Sequence, residues 1–135
     1  RAHMTRAIME GLAFNSRWTH AAAQKFIGRP IESYRFSGGG ALSSVWSQIH
    51  ADVLGVPIHQ VEDPVNTTVR GTAMLALITL GHRTAEEIPT LVKVRQVFEP
   101  DTSRRDLYDR MYAQYRNIFK KSKNVYTTLN AQQEV

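Results

Sequence analysis

Residues 37–57 read SGGGALSSVWSQIHADVLGVP, and the three consecutive glycines are the first place where this chain can do chemistry. With no Cβ at Gly38, Gly39 or Gly40, and only a methyl at Ala41, a ligand can lie directly on the backbone. If a strand enters this turn and a helix leaves it, free amide hydrogens and the positive end of a helix dipole surround one small volume, which suits a phosphate. The spacing alone leaves two readings open: a nucleotide shelf, and a tight turn that touches no ligand.

Competing chemistries can be tested against the same sequence. There is no G-x-x-x-x-G-K-[ST], so no lysine of the P-loop type, and the glycine run is not G-x-G-x-x-G. The five histidines, at 3, 20, 50, 59 and 82, show no H-x-x-x-H spacing, and no metal site is expected in the chain. No G-x-S-x-G nucleophile elbow occurs. With no cysteine, disulfide frameworks, thiolate metal sites and thiol redox chemistry are excluded; the composition is compatible with a reducing cytoplasm, the expected location. Asp52 is a tempting catalytic acid, but it falls two helical turns beyond Ser44 and is expected to be structural. No catalytic residue is therefore assigned within the chain.

The elements that must position the glycines follow from periodicity. Ile8, Leu12, Trp18, Ala22 and Phe26 recur near the helical repeat between Met4 and Ile27, and Gly28 with Pro30 supplies a stop. Residues 31–37 read as a strand ending at the glycines, with Tyr34 and Phe36 alternating with polar residues. Val45, Trp46, Ile49, Val53 and Leu54 make one face of a second helix, capped by Ser43 or Ser44 and closed by Gly55 and Pro57. A strand over Val56–Val61 follows. A third helix starts at Asn66, Thr67 or Thr68, and Gly71 and Ala73 leave it a flat surface. Thr84 and Glu87 form a capping box for a short helix before Pro89. Val92–Phe98 reads as an edge strand, and a last helix begins near Asp101, with Leu107, Met111, Tyr115, Ile118 and Phe119 as its buried stripe. The order α-β-α-β-α-α-β-α indicates an α/β layer architecture, which binds ligands at the carboxyl ends of its strands.

Composition sets the outer limits. At 135 residues and 42% hydrophobic the chain suits one domain with one core. No apolar stretch is long enough for a membrane span and no leader opens the chain, so neither a membrane nor export is expected. The net charge of +5 raises a nucleic-acid partner. Most of the excess, however, lies at the ends, notably Arg104, Arg105, Arg110, Arg116, Lys120, Lys121 and Lys123 on the last helix. A solvated helix face explains these, with the aromatic residues turned inward, and no nucleic-acid partner is expected.

The residues are specific enough to carry a resemblance. Gly38, Gly39, Gly40, Ala41, Ser43, Trp46, Gln48, Ala51, Asp52, Gly55 and Pro57 stand in register with the C-terminal signature of the FGGY carbohydrate kinases, which this stretch resembles. Upstream, RAHMTRAIMEGLAF resembles the helix carrying that family's arginine-alanine-x-x-glutamate-glycine motif, here Arg6, Ala7, Glu10 and Gly11. Downstream, RGTAMLA resembles the glycine-alanine-alanine helix, and FEPDTSRRDLYDRMYAQYRNIF the closing segment. Thr72 in place of the usual alanine and Asn66 in place of a common acid are departures that loosen the subfamily.

The resemblance implies an actin-like, ribonuclease-H-like α/β fold, of which residues 1–135 supply part of the C-terminal, nucleotide-binding lobe. It implies ATP and Mg2+ as cofactors and a small sugar or polyol, xylulose-like ketoses first, as phosphoryl acceptor. By the same resemblance Gly38, Gly39, Gly40, Ala41 and Ser44 are the nucleotide-binding residues, with Gly39, Gly40 and Ala41 against the phosphates and ribose and Ser44 nearest adenine. The general base, the sugar contacts and the metal contacts belong to parts of the family's chain not matched here, so 135 residues alone are expected to be inactive. The opening at Arg1 inside a motif fits a piece of a longer protein; a self-contained, non-catalytic nucleotide-binding or interaction module is the alternative. Open sheet edges make association with a second copy an expectation, and valine at Gly40 is expected to lower ATP affinity in a folded protein.

Overall fold

The computed structural model describes residues 1–131. The order of elements is α1 (Ala2–Ile27), β1 (Tyr34–Phe36), α2 (Ser44–Leu54), β2 (Ile58–Val61), α3 (Thr67–Thr79), α4 (Ile88–Leu91), β3 (Val94–Phe98) and α5 (Arg105–Asn130), with short 3-10 turns at Gly39–Leu42, Pro64–Asn66 and Thr102–Arg104. Among the described residues the strands form a three-stranded sheet of order β1-β2-β3. β1 runs parallel to β2 with Tyr34 opposite Ile58, and β3 runs antiparallel to β2 with Ile58 opposite Phe98. The β1-α2-β2 unit is the crossover that a parallel pair requires.

Helix α2 is the centre of the structure, with seven of its eleven residues buried. On one side Ile49 and Val53 pack with Ala13 and Phe14 of α1 and Tyr108 of α5. On the other, Ala51 and Leu54 pack with Ile58 and Phe98 of the sheet. One helix thus joins two apolar clusters, and each end of it is fixed by a cap. Ser43 Oγ accepts the Trp46 amide at 3.2 Å, and Gly55, at φ 73°, closes the C-terminus with its amide on the Ala51 carbonyl.

Polar contacts tie the long helices to this centre. The Asp52 side chain is fully buried and accepts from Gln48 Nε2 at 2.7 Å, the Asp101 amide at 2.9 Å and Arg104 at 3.1 Å. It is structural, as its distance from the glycine corner implies. Glu10 and Arg6 bracket the Tyr108 hydroxyl, which accepts from Arg6 and donates to Glu10, both at 3.1 Å. The arginine-alanine-x-x-glutamate-glycine helix is therefore fastened to α5 by its two charged positions.

Several expectations differ from what folds. In α1 the buried residues are Ala13 and Phe14, while Ile8, Leu12 and Phe26 are exposed. In α5 the buried residue is Tyr108, with Tyr112 and Tyr115 packed beside it; Leu107, Ile118 and Phe119 are exposed. Periodicity identifies an apolar stripe, but the partner helix selects which part of the stripe it covers. The aromatic residues of α5 accordingly divide, the first three facing inward and Phe119 and Tyr126 half open to solvent. Glu87 does take the Thr84 amide at 2.8 Å, yet the helix starts after it, at Ile88, with Pro89 in its first turn where a proline loses no hydrogen bond. Asn66 does not cap α3 but turns back onto the Asp63 carboxylate. No helix among the described residues is long and apolar enough to cross a membrane.

Asp52→Ala is expected to lower the unfolding free energy by about 2–3 kcal/mol, the scale for removing a buried acceptor that holds charged and backbone donors. Arg104→Ala removes a guanidinium that is 46% exposed and should cost less than about 1 kcal/mol. Urea midpoints at neutral pH compare the two, and equal effects would contradict the assignment.

Candidate functional site

The glycine corner lies where β1 ends. Gly38 stands at φ 83° and ψ −179°, a backbone that residues with side chains rarely adopt, and this reverses the chain out of the strand. Gly39–Leu42 then make one 3-10 turn that runs directly into α2. As the first residues of that turn, Gly39 and Gly40 present amide hydrogens that the turn itself cannot satisfy. The amides of Ser44 and Val45 stand likewise at the start of α2, whereas Trp46 is capped by Ser43.

Of the five residues implicated by sequence, Gly39 and Ser44 are exposed, Gly38 and Gly40 are half-buried, and Ala41 is fully buried. The structure brings all five into one continuous turn, but their environments differ. A Cβ on Gly39 would meet nothing within 4 Å among the described residues, so its face is open to a ligand. A Cβ on Gly40 would sit 2.6 Å from the Trp46 ring. Glycine is required there by packing, and valine at this position would displace the indole whether or not a ligand binds. Gly40→Val therefore does not isolate a binding effect in a folded protein, contrary to expectation. The Ala41 methyl points into the core, and its carbonyl accepts from Gln60 Nε2.

Three residues that hold the turn are not evident from the motif chemistry. Trp46 lies under Gly40, donates through Nε1 to the Met9 carbonyl at 3.3 Å, and meets Phe36 edge-on with ring centroids 6.3 Å apart. Gln60 is a buried amide on a short apolar strand, and that anomaly is the sequence signal that could have found it: it shares the inward face with Ile58. His50 is buried against the Phe36 ring at 4.7 Å, with Nδ1 3.0 Å from the Trp46 carbonyl. Because a carbonyl only accepts, Nδ1 carries the proton. Burial pushes the His50 imidazole below its usual range, opposed by that carbonyl.

A metal site is not built from these residues. Among the described residues no three His, Asp or Glu side chains cluster as metal ligands. The carboxylate of Asp63, beyond β2, is engaged by Asn66 at 2.9 and 3.1 Å. A divalent cation used here would find no such donor set among the described residues.

Comparison with known proteins identifies relatives along most of the chain. The family described as "FGGY family of carbohydrate kinases, C-terminal domain" matches residues 1–80. A xylulose kinase of Staphylococcus epidermidis is 32% identical over 127 residues, which cover 93% of this chain and 25% of that protein. A glycerol kinase of Corynebacterium glutamicum is 35% identical over 116 residues, covering 85% and 22%. The crystal structure of xylulose kinase from Rhodospirillum rubrum superposes with a TM-score of 0.74 at 28% identity, covering 93% of this chain and 25% of that one. The chain spans about a quarter of the length of the relatives it matches.

The buried imidazole makes stability depend on pH. His50, with its folded value depressed, is neutral when folded but takes a proton when unfolded below its ordinary value near ~6.5. Stability should therefore be constant above that value and fall as pH drops from there toward the lower folded value. His20 is also held down by burial and by Arg17, and adds in the same sense. Urea midpoints at about pH 7.5 and pH 5.5, a window in which histidine is the main titrating side chain, should show the drop, and His50→Gln should reduce it. A midpoint that rises on acidification would contradict the account.

Proposed function

Because the chain belongs to the FGGY family of carbohydrate kinases and carries part of their actin-like, ribonuclease-H-like ATPase fold, we propose that it is the nucleotide-binding part of the C-terminal lobe of a sugar kinase. The reaction would move the γ-phosphoryl group of MgATP to a hydroxyl of a small sugar or polyol. The observation that carries this reading is the open face at Gly39. A backbone with unsatisfied amides and no side chain is presented at the carboxyl end of a parallel strand, with a helix N-terminus directly behind it.

In this reading Gly39 and Gly40 offer their amides to phosphate oxygens, and Ser44 faces the adenosine end. Ala41 acts from within, its carbonyl anchoring the turn to Gln60. Mg2+ would arrive with the phosphates and draw its ligands from them and from elsewhere in the enzyme. Phosphoryl transfer is mostly positioning and stabilisation of charge on the moving group. The general base, and the groups that select xylulose or another polyol, would lie outside these 135 residues, in a cytoplasmic enzyme that closes around both substrates. Among the described residues, the open edge of β1, the exposed Val69 and Leu75 of α3 and Leu80 just after it suit the packing of further chain or of a second copy.

With MgATP and either xylulose or glycerol, this chain alone should release no ADP above blank; release with either acceptor would contradict the division of labour. Gly39 and Gly40 should separate binding from folding. Gly39→Ala adds a methyl to open space and should weaken ADP binding roughly tenfold with the urea midpoint unchanged. Gly40→Ala meets the Trp46 ring and should lower stability by about 1–3 kcal/mol. Calorimetric titration with MgADP, together with urea unfolding, checks both; a folded Gly39→Ala protein with unchanged affinity removes the shelf from the proposal.

A further inference from the structure

The glycine turn rests on Trp46 from below, and a second support comes from the loop that leaves β2. In that loop Asp63 stands at φ 47° and ψ 63°, a left-handed conformation uncommon for a residue with a side chain. Such a conformation persists where the surroundings over-determine it. Here Arg70 donates from Nη1 to the Glu62 carbonyl and from Nη2 to the Asp63 carbonyl, each at 3.0 Å. The Glu62 amide donates to the Lys93 carbonyl at 2.9 Å, and the Asp63 carboxylate accepts from Asn66 Nδ2. The loop bent in this way delivers the Pro64 carbonyl to the Gly38 amide at 2.7 Å. Thr67 Oγ1 donates to the same oxygen, also at 2.7 Å.

Arg70 is poorly placed for any benefit to its own helix. It is the fourth residue of α3, and a cation in the first turn is opposed by the helix dipole. What the position does offer is reach: the side chain returns past the helix start, and its planar fork matches two successive carbonyls, which a lysine ammonium cannot do.

We infer that Arg70 is a positioning residue for the nucleotide shelf: by holding the carbonyls of Glu62 and Asp63 it sets the left-handed turn at Asp63, and so places the Pro64 carbonyl that anchors Gly38. Gly38 is the residue whose backbone aims Gly39 and Gly40. The inference rests on the reading of those glycines as the site for an adenine nucleotide, but the clamp itself can be tested without any nucleotide.

The experiment uses the 15N-labelled 135-residue chain and its Arg70→Met and Arg70→Lys variants, with circular dichroism to establish folding. The first measurement is hydrogen exchange at the Gly38 amide without ligand. Both variants should exchange there roughly tenfold faster or more, while Val53 and Leu54 in α2 keep their protection, which separates a local release from global unfolding. The second is titration with MgADP, where Arg70→Met should bind roughly tenfold more weakly and Arg70→Lys should change in the same direction. Should Arg70→Met fail to fold, Arg70→Lys decides alone. Faster exchange at Gly38 in proteins where MgADP leaves the glycine turn of the wild type undisturbed would retain the clamp and defeat the shelf. A wild type that binds, with folded variants matching it in affinity and in Gly38 exchange, would overturn the positioning role.

Discussion

The contact between the Trp46 ring and the Gly40 backbone is the constraint on which the rest of this structure depends. A Cβ at position 40 would lie 2.6 Å from the ring, so the turn can close onto the indole only with glycine there. The same side chain reaches the Met9 carbonyl of α1 and the Phe36 ring of β1, and its own backbone amide is the one that Ser43 caps. One residue therefore fixes the relation of α1, β1, the turn and α2. Removing the indole would leave a cavity at the junction of all four, and large-to-small changes at such sites commonly cost about 3–5 kcal/mol.

This contact also divides the work among the three glycines. Gly38 supplies the reversal at positive φ, Gly40 the close approach to the indole, and Gly39 the open face. From the other side, the sheet and its following loop hold the turn at two points, the Gly38 amide and the Ala41 carbonyl. A turn pinned at both ends keeps its remaining amides in fixed directions without a ligand, and preorganised donors are worth more to a developing or bound anion than donors that must be gathered first. The proposed site is thus made largely of backbone, and the side chains around it act by holding that backbone still.

Much of this could be read in the sequence. The order of helices and strands follows from periodicity and from the glycine and proline stops, and the glycine corner falls at the end of β1 as the motif implies. Asp52 was legible as structural from its distance along the helix alone. The faces of the long helices were not legible: Ile8 and Phe26 satisfy the helical repeat as well as Ala13 and Phe14 do, and only the packing of α2 and α5 against α1 buries the second pair. Nor was the reason for Gly40, because a glycine required by packing and a glycine required by a ligand look alike until the indole is in place. Gln60 shows in the sequence only as a polar residue within a short apolar strand, which does not name the Ala41 carbonyl as its partner, and the reach of Arg70 back to the β2–α3 loop has no signature in local spacing.

The central claim is that the open backbone at Gly39 and Gly40, held by Trp46, receives the phosphates of an adenine nucleotide. The most direct measurement follows the 15N–1H spectrum of the chain as MgADP is added, with residues of the turn assigned. The account predicts that the amides of Gly39, Gly40 and Ser44 move progressively and saturate together, while those of α3 and the C-terminal half of α5 stay in place. Saturating shifts located elsewhere, with the glycine turn unmoved, would contradict it.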